Sequence, residues 1–334
     1  MALSLLRFDM RVPDFAKTPA PELYAAALDM AQWADEKGFD TITLSEHHAT
    51  DDGYLSAPLA LAGCMVGRTR RIRIGVVALL LPLYDPIKLA EDLRVLDLAS
   101  GGRVGITAGI GYRPEEFVMF GKDWEKRGAL MDECLQALLD AWTGEPFEYR
   151  GRRGFLTPAP VTGPKPPVFV GGMGRNAARR AARFGLPFQP AVNDASVLEL
   201  YRAECARLGV ENPIALPPGD GEMIWVSRDP ERTWAQIGPH VLHEAVTYAS
   251  WQRPGFHSAV VSYATSVEGL REEGKFRVLT PGECLERAQE KGPFATFIHF
   301  PLCGGIAPEI AWESLELYAD EVLPNLPSLA DADS

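Results

Sequence analysis

The 334-residue sequence has no Cys-x-x-Cys pair, no run of basic residues and no apolar stretch of membrane-spanning length. Its five cysteines stand at 64, 134, 205, 284 and 303, an odd number with no close pair. That spacing argues against a disulfide framework and a zinc cluster, and it fits a reducing, cytoplasmic setting. The longest apolar candidate, Ile74 to Leu83, reaches only about half of a span and is interrupted by Pro82. The opening residues Met-Ala-Leu-Ser-Leu-Leu-Arg-Phe-Asp carry neither a charged leader nor a cleavage site, so no export signal is expected. Lys and Arg total 33 against 45 Asp and Glu, a net charge of −12. So acidic a chain is a poor polyanion ligand, and neither nucleic acid nor anionic membrane is expected as a partner. A hydrophobic content of 46% with 23% charged residues excludes wholesale disorder.

What is present is an alternation of two textures. Apolar β-rich runs occupy Leu3–Phe8, Phe39–Leu44, Ile72–Leu81, Val104–Ala108, Pro167–Gly171, Leu186–Pro190, Glu222–Ser227 and Ala295–Phe300. They are apolar without alternation, as parallel strands buried on both faces require. Helical patterns lie between them. From Glu22 to Lys37, Leu23, Ala27, Met30 and Ala34 recur at helical spacing, with Pro21 at the start and Gly38 at the end. Further helices are expected over Ala57–Gly67, from Asp85-Pro86 to Ser100, and over Lys126–Trp142, Arg175–Phe184, Val197–Leu208 and Glu309–Val322. Another starts near Asp229-Pro230, where Pro239 is expected to kink or split it. Phe147–Leu156 reads as a small hairpin or glycine-punctuated loop, and 250–278 shows no clear pattern.

Eight strands, each followed by a helix, predict an α/β fold: a single (β/α)₈ barrel domain over 1–334, with insertions at 111–125, 145–166 and 250–280. The rival, a doubly wound sheet, wants Gly-x-Gly-x-x-Gly after the first strand, and Arg11-Val-Pro-Asp-Phe15 supplies none. In a barrel the chemistry gathers at the C-terminal strand ends. After strand two stand Ser45-Glu-His-His48. Alternation lets only one of His47 and His48 face the axis. One reading gives that histidine a hydrogen-bonding or proton-transfer role with Glu46 orienting its neighbours; the other makes both histidines satisfied loop residues. After strand four, Gly109-Ile-Gly-Tyr112 either lets a flat ligand approach the backbone or makes a tight turn. After strand five, Gly171-Gly-Met-Gly-Arg-Asn176 opens a helix with free N–H groups and one arginine, which makes an anion cradle or a plain glycine turn. Arg127 is a second phosphate candidate, with a solvated surface arginine as the plainer reading. His240 and His243, three apart beside Glu244, read as a helix face rather than a metal site. Cys303 reads as packing, and one orientation of His299 points into the mouth.

Taken together, these segments resemble the luciferase-like flavin-dependent monooxygenases. The resemblance is carried by Glu36-Lys-Gly-Phe-Asp-Thr41, Ser45-Glu-His-His48, Ile72-Arg-Ile-Gly75 with Leu81-Pro82, Ala90-Glu-Asp92, Ser100-Gly-Gly-Arg103, Gly109-x-Gly111-Tyr112, Phe117-x-x-Phe-Gly121, Phe184-Gly-Leu-Pro187 and Glu321-Val-Leu-Pro324. It implies reduced FMN at the barrel mouth, with a 5-deazaflavin coenzyme as the alternative, and a small organic substrate with O₂. A separate flavin reductase and a homodimer are further implications. His47 matches the family's active-site histidine, Val77–Ala78 a cis peptide under the flavin ring, and Gly172, Met173, Gly174 and Arg175 the phosphate region. The chain departs from the luciferases at Gly109, Ile110, Met173 and Gly174, which makes light emission doubtful and leaves the phosphate to Arg175 and backbone N–H groups. A flavin-binding protein without turnover is the rival from another class.

Overall fold

The computed structural model describes residues 2–216, 222–252, 261–292 and 295–327. In chain order the elements are β1 (Leu3–Phe8), α1 (Ala20–Lys37), β2 (Thr41–Leu44), α2 (Pro58–Arg68), β3 (Arg73–Leu80), α3 (Pro86–Ser100), β4 (Val104–Gly109) and α4 (Pro114–Met119). Then come α5 (Arg127–Trp142), a small antiparallel hairpin of β5 (Phe147–Tyr149) and β6 (Arg152–Gly154), β7 (Val168–Gly172), α6 (Arg175–Arg183), β8 (Phe188–Pro190) and α7 (Ala195–Leu208). The last third holds β9 (Met223–Val226), α8 (Pro230–Ser250), α9 (Val267–Glu273), β10 (Phe276–Leu279), α10 (Pro281–Lys291), β11 (Thr296–His299) and α11 (Pro308–Glu321). Local chemistry explains the helix ends. Asp85 accepts from the N–H groups of Ile87 and Lys88 to start α3, and Gly101, at φ 66°, stops it.

One parallel sheet orders the strands β10-β9-β11-β1-β2-β3-β4-β7-β8. From β11 through β8 this is the neighbour order of a (β/α)₈ barrel. Among the described residues no ladder joins β8 to β10. The sheet has nine strands where the sequence pattern predicts eight. The added strand, β10, lies in the stretch without a clear pattern, part of which (253–260) falls outside the described residues. Helix α10 also goes beyond the expectation. It opens on a reciprocal capping box between Thr280 and Glu283.

Helix α8 departs most from expectation. It runs for 21 residues through Pro239, so of the expected kink or split the split does not occur. Proline removes a single N–H from the ladder, and the long apolar face of Trp234, Ile237, Val241, Ala245 and Tyr248 holds the rest in place. Nor does α8 join the outer helices. Ile224 and Val226 pack in one cluster with Leu6, Phe8, Leu315 and Tyr318, the layer of α1 and α11. Alternation sends Met223 and Trp225 to the other face, where they pack on Trp234, Ile237 and Val241 of α8. That face also carries Phe300, beneath the guanidinium of Arg7. The helix therefore lies on the axial side of the sheet and brings its last turns to the strand ends. No helix among the described residues is long and apolar enough to cross a membrane.

Candidate active site

The end of β2 delivers Glu46, His47 and His48 in sequence, and all three are buried. The His47 Nδ1 lies 2.7 Å from Glu116 Oε1. Glu116 comes from α4 and is fully buried. The same oxygen accepts from the His48 N–H at 3.1 Å and from Arg113 Nη1 at 3.4 Å. On the other side of the ring, Nε2 lies 3.3 Å from the Tyr112 hydroxyl. Burial lowers the pKa of His47, and Arg113 and Arg11 lower it further against the raising pull of Glu116. The imidazole is therefore neutral at pH 7. A neutral ring beside a carboxylate carries its proton on Nδ1, which leaves Nε2 as an acceptor for Tyr112. Trp251, Tyr54, Tyr112 and Tyr248 wall the ring, with centroids 4.8, 4.9, 5.5 and 5.7 Å away.

Glu46 does not join His47. Its Oε1 accepts from His48 Nε2 at 3.0 Å and from the Tyr84 hydroxyl at 2.5 Å, and its Oε2 accepts from the Leu80 N–H at 2.6 Å. All three residues lie just beyond β2, and there Glu46 turns to His48, Tyr84 and the Leu80 backbone while His47 turns to Glu116. Glu46 thus bonds His48, and it is Glu116 that bonds His47. Glu116 carries no sequence signal. It lies in a stretch that reads as an insertion, and a buried glutamate after Pro114 looks like an exposed one.

Beside His47 lies a buried charge network. Arg11 is fully buried, with Nε 2.6 Å from Glu244 Oε2 and 3.4 Å from Asp9 Oδ2, and its Nη1 also pairs with Asp52. The guanidinium stacks over Tyr54 at 4.5 Å and Trp251 at 4.8 Å. Burial and the neighbouring Glu244 push the Asp9 carboxyl up to about 8 against the pull of Arg11. Burial would raise Asp52 too, but His243 and Arg11 hold it well below the usual carboxylate range. His243 bonds Asp52 at 2.7 Å and His240 bonds the Gly304 carbonyl at 2.7 Å, so the two histidines have separate partners. Among the described residues no group of three His, Cys, Asp or Glu is placed to hold a metal ion. The Cys303 thiol is buried and pushed up by that burial, with Glu244 and Asp9 adding to the shift. His299 does not point into the mouth. It sits in register with Leu6 and packs between Phe39 and Tyr318 in the sheet–helix layer.

Across β3, β4 and β7 the strand ends form a ledge. Val77 and Ala78, joined by a cis peptide as the resemblance implies, are half-buried, as are Gly109, Ile110, Gly171, Gly172 and Met173. Most of the glycine clearance is used by the protein itself. A Cβ on Gly109 would meet Ala78 at 2.9 Å, on Gly111 Phe117 at 2.8 Å, on Gly171 Thr107 at 2.7 Å and on Gly172 Ala177 at 2.5 Å. Gly174 has open space, no side chain caps α6 there, and Arg175 is exposed. Arg127 lies 3.6 Å over Trp124 and donates to the Trp124 carbonyl. Neighbouring strands stand about 4.8 Å apart, so the three strand ends make a floor wide enough for a flat ring. The uncapped helix start with Arg175 suits a phosphate, and these residues fit FMN.

Comparison with known proteins gives a consistent result. The sequence profile described as luciferase-like monooxygenase matches residues 8–288. The chain is 30% identical over 181 residues to the alkanal monooxygenase alpha chain of Photorhabdus luminescens, covering 52% of this chain and 49% of that one. It thus spans about half the length of the curated relatives it matches. Among solved structures it resembles the monooxygenase RslO1 from Streptomyces bottropensis, with a TM-score of 0.74, 24% identity and coverage of 97% and 99%. It also resembles the oxygenating constituent of 3,6-diketocamphane monooxygenase from Pseudomonas putida, a type II Baeyer–Villiger enzyme in complex with FMN, with a TM-score of 0.71, 20% identity and coverage of 98% and 99%. At these identities the two structures establish the fold.

Proposed function

The chain belongs to the luciferase-like monooxygenases, and from that premise we propose that it is a flavin-dependent oxygenase using reduced FMN and O₂ on a small organic substrate. The observation that carries the reading is the neutral, buried His47, held by Glu116 beside a half-buried ledge with an uncapped helix start. When bound, reduced FMN would supply the electrons that activate O₂. The protein's own part is positioning and proton handling. Val77, Ala78 and Gly109 would carry the ring, and Gly174, Arg175 and Asn176 the phosphate. His47, with its proton fixed on Nδ1, would offer Nε2 as an acceptor at the reacting end where the Tyr112 hydroxyl that donates to it gives way. Tyr54, Tyr112, Tyr248 and Trp251 keep water away from that nitrogen. Reduced FMN would come from a separate reductase, because the chain carries no dinucleotide fingerprint of its own.

Titration with FMN, riboflavin and the 5-deazaflavin coenzyme, each oxidised and reduced, tests the reading. Charge-assisted hydrogen bonds contribute about 1.5–3 kcal/mol each. Losing two of them should weaken riboflavin about a hundredfold or more relative to FMN. Equal affinity for riboflavin and FMN removes the phosphate from Gly174–Asn176. Tight binding of the deazaflavin coenzyme alone replaces oxygen chemistry with hydride transfer.

A further inference from the structure

The flavin reading above leaves Glu46 without a catalytic task, and the geometry points to another one. We propose that Glu46 is a positioning residue that fixes the backbone of 77–80, the part of the ledge on which the flavin ring would lie. The inference rests on that reading for its ligand and on the following geometry for its residue.

The Glu46 side chain is fully buried. Its two oxygens take three protein donors: His48 Nε2 and the Tyr84 hydroxyl on Oε1, and the Leu80 N–H on Oε2. Every bond it makes is inward, to the protein. Such a carboxylate is suited to hold a shape rather than to exchange protons with a substrate.

The shape it holds needs holding. The β3–β4 ladder pairs Val77 with Thr107 and then Leu79 with Ala108, so Ala78 is an extra residue outside the register. A bulged residue loses its ladder bonds, and the segment around it lacks the regular support of the sheet. Two consecutive residues of the β2 end supply the support from the side. Ser45 Oγ donates to the Val77 carbonyl at 3.2 Å, before the bulge, and Glu46 Oε2 accepts from the Leu80 N–H, after it. His48 and Tyr84 fix the carboxylate in turn. Gly109 completes the seat, since a Cβ there would stand 2.9 Å from the Cβ of Ala78. The Ser45-Glu46 pair is thus a clamp on the bulge, while His47 bonds Glu116 and Tyr112 and takes no part in it.

Glu46→Ala tests the proposal with readouts that a general loss of stability does not reproduce. FMN affinity should fall about tenfold or more, as loss of a charge-assisted bond predicts. The visible spectrum of the bound flavin should move toward that of free FMN. In the ligand-free protein the Leu80 amide should exchange about tenfold faster or more, with amides of the α1 core unchanged. Glu46→Gln, which keeps one acceptor oxygen, should recover part of the affinity. Should Glu46→Ala not fold, Glu46→Gln carries the same three readouts. Unchanged Leu80 exchange overturns the proposal, and so does faster exchange with unchanged FMN affinity and spectrum. If the wild-type chain binds no FMN while Glu46→Ala still frees the Leu80 amide, the clamp stands and the flavin reading falls.

Discussion

His47→Ala is expected to lower substrate oxidation by about 10²–10⁴-fold, the usual range for a lost acid–base group. FMN affinity should stay within about threefold of wild type, because the ring bonds Glu116 and Tyr112 and no part of the phosphate site depends on it. Oxygen consumption should continue and appear as hydrogen peroxide, since activated oxygen that is not delivered to substrate is released. The structure gives this expectation a specific form. His47 is neutral, Glu116 holds its Nδ1 proton at 2.7 Å, and Nε2 is the acceptor. Protonation would abolish the acceptor. Burial holds the His47 pKa below 6.5, so the acid limb of the rate profile should lie below pH 6.5. Glu116→Gln keeps the size of the partner but not its charge. An amide can donate to Nδ1 as well as accept from it, so the ring is free to take the other tautomer and present N–H in place of a lone pair. That variant should lose turnover with FMN affinity retained. His48→Ala should do far less than His47→Ala, because the His48 side chain reaches the site through Glu46 while its backbone N–H, which bonds Glu116, survives the substitution. Full coupled turnover in His47→Ala, or equal losses in the two histidine variants, would place the chemistry elsewhere on the barrel mouth.

The contrast between His47 and His48 shows how much of the site is legible in the sequence. Two adjacent histidines after a strand read as a pair of which only one faces the axis, and the two rings do take different carboxylates, Glu116 and Glu46, although both lie beyond the end of β2. Helix ends are legible for the same local reason: Asp85 before Pro86 and Gly101 after Ser100 act within a few residues of themselves. Thr280-x-x-Glu283 is a start signal of this kind, and it marks α10. What no local pattern carries is the side of the sheet a helix takes. The apolar stripe of α8 says that one face is buried, and it suits the axial face as well as the outer one. Tyr248 and Trp251 therefore enter the wall around His47 from a distance of some 200 residues without announcing it. Glu116 is hidden for the matching reason: its burial is set by His47, His48 and Arg113 together, and only Arg113 is its sequence neighbour.

The second large effect concerns stability in acid. His299 is 1% exposed, and neither ring nitrogen has a hydrogen-bond partner among the described residues. Its ring stands 4.1 Å from that of Tyr318, whose hydroxyl is taken by Ser4 at 2.6 Å. With no donor, acceptor or carboxylate in reach, burial alone pushes the imidazole from 6.5 down to about 3. A base whose folded value lies below its unfolded value is protonated first in the unfolded chain. Folding stability is therefore intact above about pH 6.5, falls as the pH drops below it, and reaches its full loss near pH 3. At 1.36 kcal/mol per pH unit, that loss is about 5 kcal/mol, a large share of a typical domain's 5–15 kcal/mol. His299→Leu removes both the titration and two buried nitrogens that cost about 1–3 kcal/mol each when unpaired. Leucine fits the apolar surroundings of Phe39, Phe297 and Tyr318. The variant should unfold at a higher temperature than wild type at pH 7, and the gap should widen steadily toward pH 4. Other carboxylates, Asp52 among them, destabilise both proteins in acid alike, so the difference between the two curves isolates the histidine. Parallel curves from pH 7 to pH 4 would mean that His299 finds a partner the folded chain does not show. A variant less stable than wild type across the whole range would mean that the imidazole's shape, not its missing bonds, decides its place between the sheet and α11.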